Sequence, residues 1–179
     1  CPVGSCKLKM KYCQLDQLDD HVMEKHYVPC YFRDQATITK QTFEQKLLLK
    51  SKKYLERDSQ NWYLVTWLYD DQRFFTRFAK KGEFWYAWTI ILGGTEEAKK
   101  YKSEITVSGE DPQDTYSFTG FVNPISMTED EICESGNCLT LTNEQVKHYM
   151  TDKDLSDNRK KQGYYYKLLV KYVLLKIDD

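Results

Sequence analysis

The residues with the most chemical character crowd into the first thirty positions. Cys1 and Cys6 are followed, after fourteen residues, by His21 and His26. Two thiolates and two imidazoles are a donor set that suits tetrahedral Zn2+. Leu15, Leu18, Val22 and Met23 recur at spacings of three and four, which predicts a short helix over 15–25. On that helix His21 and His26 stand five residues apart and reach one ion if the last turn loosens. The spacer between the two pairs is slightly long for this pattern, and Cys13 and Cys30 remain candidates to replace one ligand. A segment this small has too little core to fold unaided, so the zinc is expected to be structural and its coordination closed. A finger of this type could instead read DNA, but a groove-reading helix needs Arg, Lys or Asn aimed at bases and phosphates. Here Asp16, Asp19, Asp20 and Glu24 line the other face and repel phosphate.

No catalytic constellation is visible. Outside the zinc pattern the only histidine is His148, whose neighbours Lys147 and Tyr149 offer no triad, so a surface histidine is expected. Asp70-Asp71 reads as a hairpin tip, and Gly93-Gly94 lacks the Gly-Lys-Ser/Thr ending of a phosphate loop. Of six cysteines, four share the first thirty residues with two histidines, which favours metal over a disulfide framework. Cys133 and Cys138 are expected to be a reduced pair in a cytoplasmic protein, with the nucleus as a second compartment. Lys plus Arg is 26 and Asp plus Glu 27, a balance with no global field for nucleic acid or an anionic membrane. No apolar run approaches the roughly 18 residues of a membrane span. The chain starts at Cys1, not Met, and reads as a fragment.

These groups need elements to hold them. A length of 179 residues allows one cored domain and a small satellite, and an aromatic share of 15% favours β structure. Trp62–Tyr69, Phe74–Ala79 and Phe84–Leu92 are aromatic and β-branched runs separated by Asp70-Asp71 and Lys80-Lys81-Gly82, the pattern of an antiparallel meander. The third run is apolar on both alternations and asks for cover on both faces, either from a second subunit or from the opposing sheet plus a helix. Gly93-Gly94-Thr95 opens a turn, and a strand with one wet face follows over 102–108. Another turn at 109–112 leads to a strand around Tyr116 and Phe118. An acidic loop is expected over 128–136 and a short strand over 138–141. Thr142-x-x-Gln145 marks a helix to Met150 by its capping box. A charged, mobile segment over 152–162 precedes a long final strand, or pair of strands, over 164–177. Phe43, Leu47, Leu48 and Leu49 lie in a strand or a short helix, and the 32–60 segment contributes one edge strand. The fold class is therefore mainly β, a sandwich or barrel.

The finger motifs resemble a family. Cys1-Pro2, Ser5-Cys6-Lys7, Leu15-Asp16-x-Leu18 and His21-Val22-Met23-Glu24-Lys25-His26 look like the second zinc finger of the seven-in-absentia proteins. Gly93-x4-Ala98-x2-Tyr101, the run 104–109, Pro124-x-Ser126-Met127 and Gly136-Asn137-Cys138-Leu139 are similar to later markers of that family, in order, from Cys1 to about Tyr149. The resemblance implies a zinc finger over 1–31 and an antiparallel TRAF-like β-sandwich over 32–179, dimerising through the sandwich. It implies the substrate-recognition part of a RING-type ubiquitin ligase, binding extended degron peptides of proteins destined for the proteasome. The ligase's RING, which would engage the conjugating enzyme, has no counterpart here. A RING-less adaptor that binds partner proteins without ligase activity is the alternative. The family's peptide groove maps onto Trp62 and Leu64, with Phe32 less securely aligned; all three can also be ordinary packing residues. Two departures bear on the ligand. The stretch from His26 to Trp62 is long, and Leu169 stands where the family carries an Asn facing the peptide.

Overall fold

A computed structural model describes residues 30–32, 40–49, 59–109, 111, 113–154 and 164–177. The expected ligands Cys1, Cys6, His21 and His26, with Cys13, lie outside the described residues, as does most of the charged stretch expected over 152–162.

The molecule is mainly β, built as two sheets. In the first, β1 (Cys30–Phe32), β3 (Ser59–Tyr69), β4 (Gln72–Lys81) and β5 (Phe84–Ile91) lie side by side. The far edge of β5 is shared by β8 (Asn123–Pro124), parallel at Ile90 and Ile91, and β9 (Leu139–Thr142), antiparallel from Phe84 to Ala87. In the second sheet β11 (Tyr164–Lys176) is central. It carries β2 (Lys40–Leu49) along one side. Along the other, β6 (Tyr101–Ser108) and then β10 (Thr151–Asp154) follow each other, and β7 (Thr115–Phe121) pairs with β6. The stretch around Phe43 and Leu47–Leu49 is thus a strand, paired to β11 at ten positions. β1 spans the boundary expected at residue 31, setting Cys30 and Tyr31 against Thr66 and Trp67 of the sandwich sheet.

The hairpins follow from their turn residues. Tyr69 pairs with Gln72 around Asp70 and Asp71, both in the left-handed region at φ 52° and 53°, as a type I′ turn requires. Asp tolerates this region because its short side chain can bond locally. Lys81 pairs with Phe84 around Gly82, whose φ of 57° carries no steric cost without a Cβ.

The two sheets close on a shared core. Phe74, Phe78, Trp85, Ala87 and Ile91 from one meet Ile105, Val107, Leu168, Val170, Tyr172 and Leu174 from the other. Trp67 meets Tyr172 edge-on with centroids 6.2 Å apart, and the Thr89 and Ser103 hydroxyls lie 2.8 Å apart. β3 and β4 therefore lie over β11, and β5 over β6. It follows that β2 and the β1–β3 edge fall on the same side of the molecule.

β5 is buried on both faces, and its own chain supplies the second cover. Phe75, Ala79, Trp88, Ile90 and Leu92 on the outer face pack with Ile132, Cys138, Ile125 and Met127. The acidic stretch 128–136, expected as a loop, is a helix. Three helices are described: α1 (Thr95–Ala98), where only a turn was expected, α2 (Glu129–Ser135) and α3 (Asn143–Tyr149). Thr128 caps α2 and Glu131 returns to the Thr128 backbone. Ile132 is the apolar foot that anchors α2, and Gly136 at φ 70° ends it. Glu129, Asp130 and Glu131 sit at the helix start, where the backbone dipole favours carboxylates.

Candidate functional site

The expected peptide-binding residues lie on two adjoining strands at one edge of the first sheet. Phe32 is on β1, opposite Leu68, while Trp62 and Leu64 are on the first half of β3. Trp62 pairs with Phe78 of β4, and the register then slips at a bulge before Val65. β1 reaches only Thr66, Trp67 and Leu68. Among the described residues, the first half of β3 therefore has a strand partner on the β4 side alone. Backbone N–H and C=O groups on such an edge are free to pair with an added strand. Bulges recur at edges because they bend the strand and interrupt its ladder. Leu169 lies on β11 and pairs with Lys46 of β2, the edge strand on this same side of the molecule.

A second cluster, not foreseen from sequence, sits where α2 crosses the outer face of the first sheet. Arg77 of β4 is 5% exposed. It forms an ion pair with Glu129, and its guanidinium lies 5.6 Å from the Trp88 ring centroid. Burial lowers its pKa to about 10, still well above neutrality. Lys81 Nζ reaches Asp130 Oδ1 at 2.6 Å and stands 3.8 Å from Glu129 Oε2. One turn further along α2, Cys133 is half-buried, and beyond the turn at Gly136 Cys138 is buried. Cys138 Sγ is also 3.7 Å from Thr140 Oγ1. Sharing of a proton with Cys133 holds Cys138 down to about 7, and the same contact pushes Cys133 up. Both cysteines are free.

Next to this cluster an amide network centred on the buried Asn123 joins three segments. The Asn123 Nδ2 donates to the Thr89 and Asn137 carbonyls at 3.1 and 3.2 Å. The Asn137 Nδ2 donates to the Phe121 carbonyl at 2.7 Å and to Asn123 Oδ1 at 2.9 Å. Gly120 belongs here too: a Cβ on it would come within 2.4 Å of Asn137 Oδ1 and of the Phe118 ring.

Asp70 and His148 also have structural partners. Asp70 accepts hydrogen bonds from the Tyr101 hydroxyl and Lys176 Nζ, each at 2.7 Å. The Lys176 ammonium holds the Asp70 carboxyl below its ordinary range. His148 lies on the surface with Nε2 2.6 Å from Asp114 Oδ2. Among the described residues, no three His, Cys, Asp or Glu side chains are grouped to hold a metal ion, and no helix is long and apolar enough to cross a membrane. The Arg77–Glu129 pair joins residues too distant in sequence for any motif to signal it. The capping box Thr128-x-x-Glu131 was the one sequence signal that could have placed α2 over β4.

No family model matches the chain, and no curated protein matches it significantly.

Proposed function

We propose that this chain recognises extended peptide segments of partner proteins along the β3 edge, as the substrate-binding part of a seven-in-absentia-type ubiquitin ligase. The observation that carries the reading is the position of Phe32, Trp62 and Leu64 on adjoining strands at one sheet edge. A peptide added there would gain affinity from backbone hydrogen bonds and specificity from side-chain pockets. The two mainly antiparallel sheets around a common core are consistent with a TRAF-like sandwich. The donor set of Cys1, Cys6, His21 and His26 suits a structural Zn2+ that would hold the first thirty residues in shape. Dimerisation, and a RING on the same protein to engage the conjugating enzyme, complete the proposal. Ubiquitin transfer would belong to that RING.

Leu169 in place of an Asn removes a side-chain hydrogen bond to ligand, so the preferred peptide differs from the family's own. Calorimetry tests the reading with a peptide of the form Pro-x-Ala-x-Val-x-Pro, titrated into the zinc-loaded protein and into Trp62→Ala. Micromolar binding that disappears in a variant with unchanged circular dichroism supports it. No binding to the folded wild type, or equal binding to both proteins, removes the groove from the β3 edge.

A further inference from the structure

We propose that the free edge of β7 is the dimer interface of this protein, where a second copy of the chain adds its own β7 antiparallel across a two-fold axis. The inference names a surface for the dimerisation in the proposed function, but it stands on the edge itself.

β7 is the last strand of its sheet and pairs with β6 alone. Backbone bonding fixes which of its residues face outwards. Val122, which follows β7, donates its N–H to the Tyr101 carbonyl of β6, and Asn137 Nδ2 reaches the Phe121 carbonyl from the other side. In an antiparallel ladder the N–H and C=O of one residue point the same way, and successive residues point opposite ways. Gly120, Phe118 and Tyr116 therefore bond towards β6, while Thr119, Ser117 and Thr115 present their backbone groups outwards. These last three residues are exposed. Asn137 closes the row at Phe121.

Sheet edges are usually guarded by charge, proline or a bulge. Other edges here have such guards: β2 carries Lys40, Glu44 and Lys46, β10 is Thr-Asp-Lys-Asp, and β3 is bulged between Trp62 and Val65. β7 reads Thr-Tyr-Ser-Phe-Thr-Gly-Phe, with no charge, no proline and an unbroken register against β6. Among the described residues, two of the three large exposed hydrophobic side chains, Tyr116 and Phe121, are also on it.

What covers this edge must match it, and β7 matches itself. With the two-fold axis at Ser117, Thr115 falls opposite Thr119 of the second copy, Ser117 opposite Ser117 and Thr119 opposite Thr115. Every outward residue of both strands then finds a backbone partner. On the core-facing side Tyr116 falls opposite Phe118, an aromatic cross-strand pair. Phe118 already packs against the core, so the pair extends that core across the axis. The strand ends are complementary in charge. Asp111 and Asp114 precede β7, and Lys102 lies against Phe121 at its far end. Antiparallel pairing sets each acidic end beside the basic end of the second copy. β5, the other strand that asked for a second subunit, is covered by its own chain. The contact is isologous and closes at two copies.

The test is sedimentation of the whole purified chain from low to high micromolar concentration, beside Ser117→Lys and Ser117→Thr. One strand pair is a small interface, so the wild type should pass reversibly from monomer to dimer over this range. Ser117→Lys sets like charges opposite each other on the axis and should raise the dissociation constant by more than about tenfold. Ser117→Thr should dimerise as the wild type does. Hydrogen exchange of the wild type gives a second reading that needs no variant. The amides of Thr115, Ser117 and Thr119 should slow as concentration rises, while that of Phe118, already bonded to β6, should not change. A wild type that stays monomeric, a dimer that survives Ser117→Lys, or outward amides that exchange equally fast at both ends of the range overturns the proposal. The Trp62→Ala titration reports on the β3 edge alone, so the two readings fail separately.

Discussion

Asp70 does two jobs with one side chain. It occupies the first left-handed position of the β3–β4 turn and accepts hydrogen bonds from Tyr101 and Lys176, both on the opposite sheet. Because Lys176 lowers its folded pKa below the ordinary value of 3.8, ionised Asp70 favours the folded state. That contribution is complete above the unfolded value and is lost as pH falls through the folded one. Asp70→Asn keeps a residue that tolerates the left-handed turn and removes the charge. With the Asp70 side chain 38% exposed, the expected cost at neutral pH is under about 1 kcal/mol. Thermal melts taken from neutral pH downwards should show the variant less stable at first. The two curves should converge below the carboxylate range, whereas a constant gap would assign the effect to the turn. Arg77 illustrates a different balance. Its charge is retained in an aromatic face because Glu129 and the Trp88 ring replace the water it has lost.

Elements formed where local signals and packing agree. α2 has seven residues, too few to persist alone, and depends on its cap and on Ile132 seated against the outer sheet face. Thr128→Ala should cost about 1 kcal/mol. Chemical denaturation would read this as a lower midpoint at unchanged slope; a changed slope would mean that α2 detaches separately. The three-stranded meander was legible because alternating aromatic runs met turn residues at the right places. α3 was legible from Thr142 and Gln145. The same box at Thr128 and Glu131 is hard to read because acidic residues surround the single apolar residue that matters, Ile132. β10, with the sequence Thr-Asp-Lys-Asp, has no apolar alternation and is a strand because the first residues of β11 offer it a partner. Such long-range pairing leaves no mark on the segment itself. The candidate peptide edge was readable only through resemblance, since nothing in Trp62 or Leu64 distinguishes an edge strand from a central one.

At the scale of the molecule, one hydrophobic cluster joins the two sheets and a second lies on the outer face of the first. If Cys1, Cys6, His21 and His26 hold zinc, removing it should leave these clusters standing. A strong chelator is expected to release zinc stoichiometrically while the near-ultraviolet dichroism of Trp67, Trp85 and Trp88 persists; collapse of that signal would mean that finger and sandwich fold as one unit. A last consequence follows from β11. It is the central strand of its sheet, and its register runs from Leu175 against Lys40 to Tyr166 against Leu49. During synthesis β2 therefore emerges long before the strand it must pair with. At common elongation rates the interval is on the order of ten seconds. For that time Phe43, Leu47, Leu48 and Leu49 are on a nascent chain without their β11 partners. The part of this protein most open to chaperones, and to wrong partners at the ribosome, is thus β2, one of its earliest strands.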